Sequence, residues 1–177
     1  TKNVYDVFPS QAVKYCLNTA RIRPEQLSMI SIGWDANRYP KDIESFYRQF
    51  YKRYFTTGVR SSQKLSFEFE KYRPEKILNQ IETHFRDLGY MGIIPDVRFY
   101  SHHDCQANAA YHCHSYDHAA VIVLDGAAET STLSAYLVKN STFEKLVQYH
   151  IPHSLGWFYR VFARYCGFVQ QTGDVHL

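Results

Sequence analysis

After Pro9, the run SQAVKYCLNTARI sets Ala12, Val13, Cys16, Leu17 and Ala20 at helical spacing. Ser10 stands where an N-cap belongs, so the pattern predicts an amphipathic helix ending near Arg23-Pro24. The next run, LSMISIGWD, alternates, is rich in isoleucine and closes on Gly33-Trp34-Asp35. It predicts a buried strand whose carboxyl end faces a loop. From Lys41 to about Thr56, Ile43, Phe46, Tyr47, Phe50 and Tyr54 fall on one side of a helical period and Lys52 and Arg53 on the other. This reads as a core face with a solvated back, or as a basic, aromatic docking surface for another domain or a nucleic acid. A third helix is expected from Glu75 to Leu88, followed by Gly89 and Gly92, then a strand from about Ile94 to Tyr100 in which Pro95 marks an edge or entry position.

At Ser101 the chain changes character. The segment SHHDCQANAAYHCHSYDH, with Ser101 capping a helix to about Tyr111, leads into AAVIVLDG, a continuous apolar run ending in Asp125-Gly126. Such a run is expected of a buried strand that delivers a carboxylate to its tip. STLSAYLVKN and FEKLVQYHI read as two further strands, making Ala119–Ile151 an antiparallel meander. A last helix over 154–167 has Gly167 as its stop. No low-complexity linker or internal repeat interrupts this order, which reads as a single unit of α/β class.

Composition narrows the class. The 177 residues, 45% hydrophobic and 21% charged, are enough for one domain with its own core. No window approaches about 18 uninterrupted apolar residues, so no membrane span is expected. TKNVYDVFPS has neither the apolar core of a secretory leader nor a starting methionine, and the chain is expected to begin within a longer protein. A net charge of +3 names no partner and falls short of a nucleic-acid stripe. Cys16, Cys105, Cys113 and Cys166 show no CxxC spacing, as expected of reduced thiols in a cytoplasmic protein. The 15 Tyr and 12 Phe are first of all core and interface material.

Candidate chemistry lies between positions 102 and 118, which hold His102, His103, His112, His114 and His118 among the nine histidines, with Cys105 and Cys113. On a helix capped by Ser101, His102 and Gln106 share one face, the spacing of two side chains that ligate one metal. A strand-end Asp125 would complete a set of imidazole and carboxylate donors suited to Fe, Zn, Mn or Ni. A neutral amide is a poor ligand for a borderline metal, and His112 and His114 are two apart, on different faces of a helix, although they could converge in a loop. Ordinary surface histidines, or a nucleophilic Cys105 or Cys113 assisted by a neighbouring histidine, are alternative readings.

The string HHDCQANAAYHCHSYDHAAVIVLDGAAE resembles the HHxxHAxxAYxxSxFxxAxVLxxDGxGE signature of O-carbamoyltransferases that modify nodulation factors and antibiotics. Pro152-His153-Ser154-Leu155-Gly156, then Tyr159 and Gly167-Phe168, are similar to the family's PHSLGxxYxxxxxxxGF phrase. VFPSQAVKYCL and ISIGWD are similar to its FPxxAIxxCLxxAGI and VxxGWD phrases.

The resemblance covers nearly the whole chain. It implies a ribonuclease-H-like half of an actin-like ATPase fold, a mixed sheet with flanking helices, here as an incomplete N-terminal domain spanning 1–177. It also implies an activity: ATP and carbamoyl phosphate give carbamoyl-adenylate in a C-terminal domain, and the actin-like domain passes the carbamoyl group to a hydroxyl of a small-molecule acceptor. A divalent metal, iron by family, would be held by His102, by Gln106 where the second histidine is expected, and by Asp125. Gly126 matches the glycine of a phosphate-facing turn and His103 the neighbouring histidine, both as nucleotide- or substrate-binding positions. Ala128 stands in place of the second glycine of DGxG.

The family's opening HDAS-like hairpin, its further metal aspartate and its adenylate-forming domain lie outside the sequence. This chain is therefore expected to need the remainder of its own polypeptide and to be inactive alone. Two other readings compete: a degenerate actin-like binding module without catalysis, and a ribonuclease-H-like nucleic-acid protein. The last usually needs several clustered carboxylates for two metals, and only Asp125 is well placed.

Overall fold

A computed structural model describes residues 8–38 and 72–168. The expected aromatic helix of 41–56 lies outside them. Where the sequence reads as a single unit, the contacts gather the chain into two compact ones, with boundaries after Ile32, Arg38 and Phe99. The strands form one parallel and one antiparallel sheet flanked by helices, which makes the protein mixed α/β.

In the first unit, α1 is Ser10–Ala20, β1 Met29–Ile32, α2 Pro74–Asp87 and β2 Asp96–Phe99. Strands β1 and β2 pair in parallel, Met29 against Asp96 through Ile32 against Phe99. Ile77, Ile81 and Phe85 recur every four residues along α2, and this stripe meets Ile30, Ile32 and Val97 around Tyr90. Strand β1 keeps the alternation of its sequence but is less buried than expected, with Ile30 and Ile32 half-buried and Met29 and Ser31 exposed. Pro9, not Ser10, is the N-cap of α1; the Ser10 hydroxyl instead lies 3.0 Å from His84 Nδ1. Helix α1 stops earlier than Arg23, because Arg21 turns left-handed at φ 56°. Helix α2 closes on Gly89 at φ 86°, where only glycine is unstrained.

In the second unit, α3 is His102–His112, β3 His118–Ala128, β4 Ser131–Lys139, β5 Thr142–His150 and α4 Leu155–Tyr165. The strands form the expected meander in the order β3-β4-β5. Ala107 and Tyr111 of α3 pack on Val121, Val123, Tyr136 and Val138 of the sheet. AAVIVL is therefore not a strand buried on both faces. Val121 and Val123 point to α3, whereas Ile122 and Leu124 are exposed, as the period of two requires once the partner is antiparallel. The Ser154 hydroxyl accepts from the Trp157 amide at 3.0 Å and caps α4. Beyond α4, Gly167 at φ 87° lets the Phe168 amide reach the Ala163 carbonyl. No helix among the described residues is long and apolar enough to cross a membrane.

Candidate functional site

The second unit also contains Gly33–Arg38, so the GWD turn, the start of α3, the DGAAE end of β3 and the PHSLG entry to α4 belong to one body. Ser101 caps α3, accepting from the Asp104 amide at 3.5 Å. This sets His102 and Gln106 one turn apart on the same face, as their spacing predicts. The His102 Nδ1 lies 2.8 Å from the Gly33 carbonyl oxygen. A carbonyl only accepts, so Nδ1 carries a proton, and the neutral tautomer this selects has its lone pair on Nε2.

That lone pair faces the Gln106 amide nitrogen at 2.9 Å, which donates to it, and Asp125 Oδ2 stands 3.7 Å away. The other carboxylate oxygen, Oδ1, accepts from the Gly126 amide at 2.6 Å. Asp125 is not at the strand tip. It follows Leu124, after which pairing with β4 lapses until Ala128. Such an irregularity re-aims a side chain, and here it places the carboxylate beside the imidazole.

The sequence-derived trio His102, Gln106 and Asp125 is thus together in space. Donors around a common ion at bonds of about 2.1 Å lie roughly 3.0–3.4 Å from one another, close to the observed His102–Asp125 separation. A histidine whose far nitrogen donates to a backbone carbonyl is the tautomer that metal ligation uses. The pair fits two positions of a metal shell. Among the described residues, no group of three or more His, Cys, Asp or Glu gathers in metal-binding geometry. Among the described residues, Gln106 stands beside His102 Nε2, and rotation of its amide would offer its oxygen as a third donor.

His103 is fully buried, with Nδ1 2.8 Å from the Ser134 hydroxyl and Nε2 without a hydrogen-bond partner. Burial lowers its pKa below the usual histidine value, partly offset by the Asp125 carboxylate, so the ring is neutral at pH 7. Gly126 lies within β3 rather than in a turn. A Cβ there would stand 3.2 Å from Trp157 Cδ1, so the missing side chain makes the seat of an indole. His112, His114 and His118 are exposed, as surface histidines are. The Cys105 thiol is pushed up by burial and then by the Asp104 and Glu129 carboxylates, the opposite of what a nucleophile needs. All four cysteines are free.

Several residues of the site were not singled out by sequence reasoning. Glu129 is fully buried, and its Oε1 accepts from the Asp35 amide at 2.7 Å and the His102 amide at 3.1 Å. The Ser154 hydroxyl donates to the Gly126 carbonyl at 2.6 Å while it caps α4. Asp104 joins α3 to the sheet, accepting from the Tyr136 hydroxyl at 2.6 Å and pairing with Lys145 at 2.9 Å. Burial alone would raise the Asp104 carboxyl, but the hydrogen bonds from Tyr136 and Lys145 outweigh it and hold it below its usual value. The available signal was position: Glu129 and Ser154 sit inside the phrases that carry the resemblance, whereas Tyr136 and Lys145 lie in strands that read only as packing.

The fold and these residues define a mixed α/β protein with a histidine–aspartate pair oriented by the Gly33 carbonyl and the Gly126 amide. The chain belongs to the carbamoyltransferase N-terminus family, whose match spans residues 1–177. It is also similar to uncharacterized protein sll1178 of Synechocystis sp., at 28% identity over 182 residues. That alignment takes in 100% of this chain but only 28% of the relative, so the chain spans little more than a quarter of that protein's length.

Proposed function

We propose that this chain serves a carbamoyltransferase that moves the carbamoyl group of carbamoyl-adenylate, made from ATP and carbamoyl phosphate, to a hydroxyl of a small-molecule acceptor. The observation that carries this reading is the His102–Asp125 pair, 3.7 Å apart, in a chain of the carbamoyltransferase N-terminus family. His102 Nε2 and Asp125 Oδ2 hold a divalent metal, iron in this reading, with Gln106 as a weak third donor. When bound, such a metal would supply Lewis-acid polarisation and charge stabilisation for acyl transfer.

The chain's own residues do the rest. The Gly33 carbonyl and the Glu129 carboxylate fix the orientation of His102. The Gly126 amide orients Asp125. His103, fully buried against the Ser134 hydroxyl, and Gly126, covered by Trp157, support the nucleotide or substrate position from behind rather than touching the ligand. In this reading the adenylate-forming step is not carried by residues 1–177, which span little more than a quarter of the relative they match. In this reading the protein works in the cytoplasm on a small-molecule acceptor.

The test supplies the intact protein with ATP, carbon-13 carbamoyl phosphate, Fe2+ and a deproteinised small-molecule extract as the source of acceptors. The expected result is a new carbamate ester resonance that depends on ATP and falls at least about 100-fold in His102→Ala, as loss of a metal-ligating group implies. An ester formed equally well by His102→Ala would contradict the assignment of the site. A protein that binds Fe2+ yet forms no ester from any fraction would favour the binding-module reading, to which the amide at Gln106 lends support.

A further inference from the structure

Glu129 combines three unfavourable features in one residue. It occupies the first turn position between Ala128 and Ser131 at φ 48°, a left-handed conformation that favours glycine or asparagine. Its side chain is a carboxylate with 0% exposure, costly to bury unless it is hydrogen-bonded. One of its oxygens, Oε2, has no hydrogen-bond partner. A hairpin needs none of this, because a glycine would make the same turn without strain, and strain concentrated in one residue points to a task beyond the turn.

The task is visible in what Oε1 holds. It accepts from the amides of both Asp35 and His102. The Asp35 turn is the one whose Gly33 carbonyl takes the His102 Nδ1 proton. Glu129 therefore grips the first residue of α3 by its backbone and, through Asp35, the turn that grips the same residue by its ring. Without Glu129, the two amides would lose their acceptor, and the Gly33 carbonyl would no longer be held opposite the imidazole.

We propose that Glu129 is a positioning residue that sets the tautomer and aim of His102. The metal-affinity arm of the test rests on the proposed function, whereas the imidazole arm does not. Intact protein labelled with nitrogen-15 histidine is compared with Glu129→Gln, which keeps an acceptor oxygen, and Glu129→Gly, which relaxes the turn but removes it. Long-range proton–nitrogen spectra at about pH 8, above the ordinary histidine range, read the ring tautomer, with His102→Gln identifying the signal. Fe2+ titrated without oxygen reads affinity.

The wild type and Glu129→Gln are expected to show the Nδ1–H tautomer, and Glu129→Gly a mixture of tautomers with affinity about 10–100-fold lower. Glu129→Gly that retains the wild-type tautomer and affinity would overturn the proposal. So would Glu129→Gly that loses the fold altogether while Glu129→Gln keeps it, because Glu129 would then be a general support. A wild type that binds no Fe2+ but whose ring signal responds as stated would sustain the positioning role and count against the proposed function.

Discussion

A Cβ on Gly156 would stand 2.7 Å from the carbonyl carbon and oxygen of Asp125 and from the amide nitrogen of Gly126. The first turn of α4 thus rests on backbone at the point where β3 departs from its partner. Backbone cannot swing aside as a side chain can, so Gly156→Ala must push α4 away from the strand that carries Asp125. The expected cost is about 1–3 kcal/mol of stability, read by chemical denaturation, together with altered Trp157 emission. Wild-type stability in Gly156→Ala would show that α4 does not bear on Asp125.

Both tryptophans of the chain lie at the site. The Trp34 ring meets the His102 ring edge-on at 5.9 Å, and Trp157 lies over Gly126. A paramagnetic divalent ion bound by His102 and Asp125 is therefore expected to quench a large part of the indole emission these two residues provide. His102→Ala should abolish the saturable part of that quenching. A saturable response that survives the substitution would place the ion elsewhere.

Gln106 occupies the lone pair that ligation needs. Gln106→His replaces a hydrogen-bonded amide by an imidazole one helical turn from His102, so Fe2+ affinity is expected to rise by about 10–100-fold, comparable to the effect of other changes around a metal shell. Titration of the two proteins side by side checks this. Equal affinities would mean that position 106 does not face the ion.

Tyr136 anchors α3 by donating to Asp104. Burial, followed by the bond to Asp104, pushes its phenol well above the usual value. The unfolded chain loses this proton above about pH 10 while the folded protein keeps it, so its contribution is complete below that pH and is lost as pH rises further. Tyr136→Phe is expected to cost about 1.5–3 kcal/mol at pH 7 and to flatten the alkaline arm of the stability curve. An unchanged alkaline arm would show that another group governs it.

Local signals in the sequence carried much of this structure. The Ser101 cap placed the start of α3, and three successive strand-like runs after Ala119 placed the meander, because both depend on residues near one another. Burial of the strands was misread for a physical reason. AAVIVL carries the composition of a strand covered on both sides, and only its antiparallel partner reveals that Ile122 and Leu124 face outward.

Likewise, nothing local in DGAAE announces that Glu129 folds inward to hold the amides of Asp35 and His102, residues 94 and 27 positions away. The Gly33 carbonyl that sets the imidazole tautomer is a backbone atom, and no side-chain pattern can advertise it. The aromatic stripe of 43–55 lies outside the described residues.

The measurement that bears most directly on the site is calorimetric titration of Fe2+ under anaerobic conditions into the intact protein and its His102→Ala and Asp125→Ala variants. The expected result is saturable binding of about one ion by the wild type, with affinity at least about 10-fold lower in each variant, since each removes a donor. No binding by the wild type, or equal binding by all three proteins, would contradict a metal site built on His102 and Asp125.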